Sequence, residues 1–238
     1  MGVSLVTTIH NRPDTTRRGL ESIFVQGYPD LEVVVVDDTS DKEVVDIVKQ
    51  FPVKYIRLNR EHNGKALNWA RPLNIGIRAA SNNTIILQEV EVVHKGLDTI
   101  TKLVDAVNMD DNLWVFGEVW NRNEAKLIDK MEPFFTPDHM RYHSFFLSAI
   151  KKKWLTQIRG LDEDFIYPGF DDNDLGMRLI EGCGIRHLCC WDIKGEHLAH
   201  NEADIGPENS ELFNRKLRDM RSGKISHIRN LDREWGAI

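Results

Sequence analysis

The chain has 238 residues, 41% of them hydrophobic, with a formal net charge of −6 and a pI of about 5.9. This size and hydrophobic content can bury one substantial core, so we expect a single domain with at most a short appendage. The acidic balance excludes a nucleic-acid-coating surface, which needs a basic stripe to displace counterions from phosphates.

The cysteines and the hydropathy pattern indicate the cellular compartment in which the protein is expected. Cys189 and Cys190 are adjacent in a predicted strand, where neighbouring side chains point to opposite faces, and Cys183 is the third cysteine. A disulfide framework is therefore not expected. No apolar run reaches the roughly 20 residues that span a bilayer, and the first residues lack a signal-peptide pattern. We expect a soluble, cytoplasmic protein, although a fragment of a membrane-anchored enzyme would look the same.

The first half alternates short β-branched runs with helix-period segments, which is typical of βαβ units and a mostly parallel sheet. We predict strands over residues 3–8, 31–36, 53–58 and 84–88. Helices are predicted from Pro13, from Ser40 and over residues 65–80, the last interrupted by Pro72. Ser40 and Glu43 have the spacing of a capping box. These elements predict an α/β fold.

The pattern loosens after Gly96. We predict a helix around residues 100–107, strands over 113–119, 145–150 and 185–190, and a helix over 172–181. A polar stretch over residues 121–142 is predicted to be a loop over a site, and the charged residues 201–238 to be a helical tail.

Ligands of open parallel sheets collect at the carboxyl ends of the strands. Four polar sets follow predicted strands or precede a predicted helix: Thr8, His10 and Asn11; Asp37 and Asp38; Glu89, Glu91 and His94; and Asp171 to Asp174. Each set alone also fits a turn or a cap, because Asp and Asn bond locally to the backbone. Together they predict one site.

The two common phosphate-binding motifs are absent. No G-x-G-x-x-G follows the first strand, and Gly64-Lys65 is only a remnant of the Walker pattern. A divalent cation held by oxygen ligands could neutralise phosphates instead, and Glu89 and Glu91 could supply carboxylates to it.

Two segments of the chain carry motifs of a known enzyme family. SLVTTIHNRPDTTRRGLESIFVQGYPDLEVVVVDDTSD has an S-x-V-x-T-x-x-N-R start and a V-V-D-D-x-S strand end. GLDEDFIYPGFDDNDLGMRL is similar to a G-F-D-E-x-F…G-x-E-D-x-D-L-x-x-R-L segment. In this order, the two segments resemble the opening and the later part of the family 2 glycosyltransferases. The resemblance covers about two hundred residues. It implies a GT-A fold, a Rossmann-like and mostly parallel sheet flanked by helices. It also implies sugar transfer from a nucleotide diphosphate sugar, UDP-sugar foremost, to an acceptor hydroxyl with inversion.

The resemblance also implies a nucleotide site. Thr8, Asp37 and Asp38 match positions that bond the base and ribose, and Asn11 lies in the same opening motif. Arg71 matches a region where an arginine seats the base or the diphosphate, although a surface arginine is an equal alternative.

The expected metal motif departs from the family pattern. D-x-D is replaced by Glu89-Val90-Glu91, whose longer side chains shift the oxygens that would hold Mn²⁺ or Mg²⁺. His197 and His200 match the late histidine that completes the metal sphere in relatives, and which of them serves is left open. Ordinary surface histidines are the alternative.

The acidic cluster carries the expected catalytic base. Asp172 matches the base that takes the proton from the acceptor hydroxyl, and Asp171 replaces the usual glutamate that orients the acceptor. Asp174 is expected to support the helix, and simple capping by Asp171 and Asp172 is the alternative. Trp120 is a candidate sugar platform, whereas Trp114, inside a strand, is expected in the core.

The resulting prediction is a catalytic domain over residues 1–200, with a nucleotide-binding half (about 1–95), an acceptor half (about 96–200) and a tail over 201–238. Expected partners are the nucleotide sugar and a glycan, lipid-linked or protein acceptor, with no nucleic acid and no membrane span. Two alternatives remain: a nucleotidyltransferase, which should carry a glycine-rich basic loop after the first strand, and a non-catalytic nucleotide-sugar-binding module.

Overall fold

The computed structural model describes residues 1–61, 68–122, 131–135, 146–199 and 207–238, with side chains at all of these except 121, 122, 131–135 and 207. The first half alternates strands and helices as predicted. Its elements are β1 (Val3–Ile9), α1 (Pro13–Phe24), β2 (Leu31–Asp38), α2 (Lys42–Val48), β3 (Lys54–Leu58), α3 (Ala70–Ala79) and β4 (Thr84–Gln88).

The second half is less regular. Its elements are β5 (Val92–His94), α4 (Thr99–Val107), β6 (Leu113–Arg122), β7 (Met131–Phe135), β8 (Leu147–Lys151), α5 (Lys152–Gln157), α6 (Asp171–Met177), a π-helical turn (Arg178–Gly182), β9 (Arg186–His197) and α7 (Pro207–Arg221). No helix in the described part of the chain is long and apolar enough to cross a membrane. The three cysteines are free thiols.

The nine strands in the described part of the chain join one sheet, in the order β3-β2-β1-β4-β8-β6-β9-β5, with β7 added beside β6. The four strands of the first half are mutually parallel, and β6 and β9 are parallel as well. β8 runs antiparallel to both of its neighbours, β4 and β6. The predicted α/β class, with a mostly parallel sheet flanked by helices in one domain, is confirmed.

Helices cover both faces of the sheet because its central strands are apolar throughout. Leu5 and Val6, adjacent in β1, point to opposite faces and enter two separate buried clusters. Residues from α1, α2 and α4 complete one cluster: Leu20, Ile23, Val44, Val48, Leu103 and Val107. Residues from α3, α5 and α6 complete the other: Leu73, Ile77, Leu155 and Leu175. Trp114 is fully buried there, as predicted.

The predicted capping box is wrong. Helix α2 begins at Lys42 after Asp41, and its first turn has no side-chain cap. Ser40 lies just before the helix and bonds elsewhere: its N–H donates to Asp37 Oδ1 (2.8 Å), and its Oγ accepts from the Asn11 N–H (2.9 Å). A bond to Asp37, three residues earlier, and a bond from Asn11 in the loop after β1 therefore replace the predicted cap.

Other boundaries differ where pairing or backbone geometry overrides local pattern. The last strand extends past Cys190 to His197 because both β5 and β6 pair with its second part. The predicted loop over 121–142 contains β7, which pairs with β6. The predicted helix over 172–181 is α-helical only to Met177 and then widens into the π-helical turn. In α3, Pro72 lies in the first turn, where a missing N–H costs nothing.

The tail is helical only in part. After α7 ends at Arg221, the chain continues without regular structure to Ile238 and packs on the domain. Trp235 contacts the core cluster around α3, and Arg78 donates to the Trp235 carbonyl (2.8 Å). The domain boundaries over 1–200 and 201–238 stay a prediction.

Candidate active site

The strand order reverses between β1 and β4, the point where ligands of open α/β sheets bind. Thr8 pairs with Val36 and is nearly buried at the end of β1. Val6 pairs with Leu87, so Glu89, two residues later, comes level with Thr8. The ends of β1, β2 and β4 thus bring the first three predicted polar sets to one edge.

Asp37 is fully buried at the end of β2 and its carboxylate accepts three hydrogen bonds. Oδ2 accepts from the Tyr55 hydroxyl and from Arg57 Nη1 (2.8 Å), and Oδ1 accepts from the Ser40 N–H (2.8 Å). Arg57 also donates to the Ser40 carbonyl (2.7 Å). The charge of Asp37 is therefore compensated within the protein, and its first role is to hold the turn after β2.

Asp38 is equally buried and forms a two-point ion pair with Arg60, whose Nε lies 2.6 Å from Oδ1 and whose Nη2 contacts Oδ2. Arg60 further donates to the Asn68 carbonyl (3.2 Å). Planar bidentate pairs of this kind are among the stronger polar contacts in proteins. A ribose or base that bonded Asp38 would share the carboxylate with Arg60.

A cleft of about 450 Å³ opens beside this pair. It is lined by Arg60, Asn68, Arg71, Phe165, Ile166 and residues of the tail including Arg233 and Ala237. Arg71 is exposed, and its guanidinium donates to the Ala237 carbonyl from Nε (3.3 Å) and Nη2 (3.2 Å). The structure therefore brings Arg71 to the same cleft as Arg60.

Asn11 ties the loop after β1 to the loop after β2. Its Oδ1 accepts from the Asp41 N–H (2.8 Å), and its own N–H donates to Ser40 Oγ. Asn11 and Arg12 both have positive φ, 55° and 58°. Asn tolerates this region better than most residues, which fits its place in the turn that leads into α1.

Glu89 and Glu91 follow β4 and flank Val90. The Arg12 guanidinium forms an ion pair with Glu91 Oε1, so a cation of the protein already occupies one of the two predicted metal carboxylates. Burial, then the charges of Glu91 and Asp172, raises the pKa of Glu89 well above its usual value, against the opposing effect of Arg12. Negative charge is thus in excess around Glu89.

His197 ends β9 beside this pair. Its Nε2 lies 3.6 Å from Glu89 Oε2, and its ring packs edge-on against Phe146 at 5.4 Å between centroids. His94 points elsewhere: it is buried, its ring bonds Gln88 Oε1 (2.8 Å), and burial lowers its pKa to about 4. His200 lies outside the described residues. Among those that the structure does describe, no three His, Cys, Asp or Glu side chains form a ready-made metal cluster.

Asp171 and Asp172 open α6. Burial, then the Asp172 charge, raises the pKa of Asp171 to about 7, opposed by a hydrogen bond from Asn68. Glu89 contributes to the same rise, and Asp172 in turn acts on Glu89. The structure therefore brings the acidic cluster and the Glu89/Glu91 pair, which are separated by some eighty residues of sequence, into one electrostatic unit.

Asp174 faces away from this unit and supports the helix. It is fully buried and accepts from Arg178 Nε (2.6 Å), one helical turn later. Arg229, from the tail, lies 3.4 Å from its other oxygen and 3.1 Å from Asp162. Arg178 also donates to the Gly160 carbonyl (2.8 Å). A buried charge network therefore anchors the segment that presents Asp171 and Asp172.

Trp120 and Tyr167 are the aromatic candidates for contact with a sugar. Trp120, the candidate sugar platform, is half-buried near the end of β6, where it pairs with Glu196 of β9. Tyr167 is half-buried just before α6, and its carbonyl accepts from Asn68 Nδ2 (2.9 Å). Both rings remain candidates for an acceptor surface.

Sequence reasoning missed the residues that pair with the predicted ones. Arg12 was visible as the arginine of the N-R motif, but nothing local indicates Glu91 as its partner. Arg60 and Asn68 gave no signal, because their partners Asp38 and Asp171 are distant in sequence. Composition at a strand end predicts which side chains gather, but not which of them pair.

A sheet with this strand order, acidic residues at the switch point and a second acidic cluster beside them define a GT-A type nucleotide-sugar transferase domain. The family model for "Glycosyl transferase family 2" matches residues 4–165, and the chain belongs to this family. The prediction of a glycosyltransferase is confirmed.

Among curated proteins, the chain is 27% identical to chondroitin synthase from Escherichia coli over 255 residues and 25% identical to hyaluronan synthase from Pasteurella multocida over 226 residues. These matches cover 87% and 75% of this chain but only 36% and 23% of the relatives. The chain thus spans about a quarter to a third of the curated relatives it matches.

Solved structures share the fold. The mannosyltransferase PcManGT from Pyrobaculum calidifontis, in complex with GDP-Man and Mn²⁺, matches 92% of this chain with a TM-score of 0.62 and 20% identity, over 61% of its own length. S. aureus TarS 1–349, in complex with UDP-GlcNAc, matches 91% of this chain with a TM-score of 0.68 and 16% identity, over 65% of its own length.

Proposed function

We propose that this chain transfers a sugar from a UDP-sugar to an acceptor hydroxyl by a metal-assisted single displacement with inversion, in which Asp172 is the base. The observation that carries the proposal is the convergence of two carboxylate pairs, Glu89/Glu91 and Asp171/Asp172, at the switch point of the sheet. One pair suits a cation and the other suits proton transfer from an acceptor.

A divalent cation fits the chemistry of the first pair. Carboxylate oxygens are hard ligands suited to Mn²⁺ or Mg²⁺. Burial, and then the charges of Glu91 and Asp172, raise the pKa of Glu89, and a bound cation would offset these charges. Glu89, Glu91 and His197 would hold the ion, with His200 as the alternative histidine. When bound, such an ion neutralises the leaving diphosphate. Glu91 would have to exchange Arg12 for the ion.

The residues around the end of β2 are assigned to the nucleotide. Thr8 and Asn11 line the first loop, and Asp38 can bond the base or ribose while keeping its Arg60 partner. Asp37, whose Oδ2 accepts hydrogen bonds from Tyr55 and Arg57, would act by shaping this turn or by sharing a carboxylate oxygen with the nucleotide. Arg71, in the cleft beside Arg60, is assigned to the base or diphosphate.

Asp172 is assigned to remove the acceptor proton. Its neighbour Asp171 is nearly buried and has a raised pKa, so it holds a proton more readily and can orient the acceptor by hydrogen bonding. Asp172 is only partly buried, whereas Asp171 is buried, so an acceptor would reach Asp172 more readily. The acceptor itself is proposed to be a glycan, and the named relatives make chondroitin and hyaluronan oligosaccharides the first acceptors to try, ahead of lipid-linked sugars and proteins.

Calorimetric titration of UDP and of GDP, each with and without Mn²⁺, tests the donor site. We expect UDP binding that requires Mn²⁺, is lost in Glu91→Ala and is kept in Asp172→Asn. Glu211→Gln, at an exposed carboxylate of α7, is the control. Absence of binding by either nucleotide under all metal conditions would contradict the proposal and favour the non-catalytic module.

Turnover then tests the base. Release of UDP is followed with UDP-GlcNAc, UDP-GalNAc and UDP-glucuronic acid in the presence of the oligosaccharide acceptors. Asp172→Asn should lower kcat by roughly 10² to 10⁴, the usual contribution of a general base, with donor binding unchanged. A kcat within twofold of the unmodified protein would exclude Asp172 as the base.

A further inference from the structure

Helix α7 is hydrogen-bonded to the loop of residues 166–169, which leads into the acidic cluster. Asn209, in its first turn, is buried, and its side-chain amide donates to three successive carbonyls: Tyr167 (2.5 Å), Pro168 (3.3 Å) and Gly169 (3.0 Å). Asp171 and Asp172 follow directly. One side chain of the tail thus fixes the backbone that presents both of them.

A second amide holds the same loop from the other side. Asn68 Nδ2 donates to the Tyr167 carbonyl (2.9 Å), and the Asn68 N–H donates to the Ile166 carbonyl (2.7 Å). Asn68 also bonds Asp171 and is linked through Arg60 to Asp38. Residues 166–169 are therefore held between α7 and the nucleotide half of the domain.

The loop needs such support because the residue that follows it has an unfavourable backbone angle. Phe170, which precedes α6, has φ 67°, whereas Gly169 adopts its φ of 98° without strain. A non-glycine residue in the left-handed region is strained and persists only when its surroundings fix it. The Phe170 ring stacks on Phe213 of α7 at 5.6 Å, which supplies part of that constraint.

Charge contacts tie the same helix to the start of the loop. Lys216 of α7, nearly buried, contacts Asp162 and donates to Asp164 Oδ2 (2.7 Å). Asp162 is itself buried and is paired with Arg229 (3.1 Å). Together Asn209, Phe213 and Lys216 contact the loop and the residues on either side of it, from Asp162 to Phe170, along one face of α7.

We propose that Asn209 is a positioning residue: through its three carbonyl bonds, α7 sets the place of Asp171 and Asp172 at the acceptor side of the site. The inference rests on the proposed role of Asp172, and it assigns a function to the C-terminal helix. It requires that loss of the Asn209 amide displaces the acidic cluster while the nucleotide and metal residues at the ends of β1, β2 and β4 stay in place.

Asn209→Ala and Asn214→Ala form a matched pair. Asn214 is an exposed asparagine on the same helix whose amide bonds only within the helix, to Ser210. In Asn209→Ala we expect kcat to fall by about tenfold or more, since a small misplacement of a reacting group has effects of this size. The KM for the donor and the Kd for UDP with Mn²⁺ should change less than about threefold, because the tested contacts are not made with the donor. Asn214→Ala should change neither.

Hydrogen exchange of the amides of residues 169–174 gives a readout that needs no turnover. We expect these amides to exchange about tenfold faster in Asn209→Ala, with β1 and β4 unaffected, because local opening follows the lost bonds. Phe213→Leu, which removes the stacking on Phe170 but keeps an apolar side chain, should give a smaller change in the same direction. It serves as the second variant if Asn209→Ala folds poorly.

The possible failures are distinguishable. Unchanged kcat and unchanged exchange in Asn209→Ala would overturn the positioning role even if the unmodified chain transfers sugar. Equal losses of UDP binding and kcat would do the same, since they indicate general damage. Faster exchange of residues 169–174 in Asn209→Ala, in a chain that binds no nucleotide, would support the positioning role of Asn209 but contradict the proposed transferase reaction.

Discussion

Arg12 and Glu91 form an ion pair that joins the residue just before α1 to the turn after β4, with 34% of the arginine side chain and 11% of the glutamate side chain exposed. The pair places a positive charge beside the carboxylates assigned to the metal. Arg12 therefore competes with a cation for Glu91 while offsetting part of the negative charge that surrounds Glu89.

Arg12→Ala should strengthen binding of Mn²⁺ in the absence of nucleotide. Removal of the arginine frees Glu91 and raises the local negative potential, and a partly exposed pair of this kind contributes on the order of 1 kcal/mol, or roughly fivefold in affinity. Calorimetric titration of Mn²⁺ alone measures the change. Arg18→Ala, an exposed arginine of the same helix, is the control. Equal or weaker Mn²⁺ affinity in Arg12→Ala would mean that Arg12 does not compete for the site.

Gly19→Ala should disturb the turn that carries Glu89 and Glu91. A Cβ at Gly19 would lie 1.9 Å from the Val90 carbonyl oxygen, so α1 can approach this turn only with glycine. Overpacking of this kind costs about 1–3 kcal/mol, more than the roughly 1 kcal/mol gained from alanine's helix propensity. Urea unfolding and UDP titration with Mn²⁺ should both show a loss. Glu21→Ala, exposed on the same helix, should show neither; a fully stable and active Gly19→Ala would be inconsistent with the tight contact.

His94 should make the fold sensitive to mild acid. Its pKa in the folded protein is about 4, below the unfolded value near 6.5, because burial disfavours the charged ring. Between these values the unfolded chain binds the proton and the folded chain does not, so stability falls as the pH falls, by up to about 2.5 kcal/mol at pH 4.5.

His94→Gln, which keeps an amide donor near Gln88, should remove most of this pH dependence even if it is less stable at pH 7. The measurement is urea unfolding at pH 7 and at pH 4.5. His187→Gln, at an exposed histidine of β9, should leave the difference between the two pH values as it is in the unmodified protein. An equal pH dependence in both variants would show that His94 is not the responsible group.

Two of the i,i+4 ion pairs, Asp174–Arg178 and Lys42–Asp46, should differ in their contributions to stability. The first is fully buried, whereas the second is 50% or more exposed on both sides. Arg178→Met leaves the Asp174 charge buried without its main partner and should cost about 3–5 kcal/mol, whereas Asp46→Ala should leave the free energy of unfolding nearly unchanged because both partners are solvated. The double variant Arg178→Met/Asp174→Asn should recover much of the loss. Urea unfolding checks all three, and equal costs for the two pairs would contradict the argument.

The sequence predicted the parallel half well because its strands are uniform apolar runs and its helices repeat Leu and Ile on one face. Both ends of β4 were predicted correctly, and the ends of β1, β2 and β3 were predicted to within two residues. β5 was missed, since three residues carry no periodic signal and its existence depends on pairing with β9. The end of β9 was missed for the same reason: Lys194 and Glu196 read as surface residues until β6 and β5 are placed beside them.

For the site, the sequence indicated which carboxylates lie at the strand ends but not how they are compensated. Asp37 and Asp38 were recognised as site residues, whereas Arg57 and Arg60 were not. Arg57, in β3, and Arg60, in the loop after it, become the partners of Asp37 and Asp38 only when the chain folds. The hydrogen bonds from Asn209 to the carbonyls of residues 167–169 likewise join residues that are distant in sequence. Contacts between side chains and distant carbonyls leave no periodic trace in a sequence.

The direction of β8 has a consequence for the turn that carries Glu89. Because β8 runs antiparallel to β4, the chain begins β8 at the carboxylate edge, where the Phe146 carbonyl accepts from the Glu89 N–H (3.2 Å). The strand then carries Leu147, Ala149 and Ile150 into the core. A backbone displacement at Phe146 would therefore reach Glu89 through one hydrogen bond, without first rearranging the hydrophobic interior.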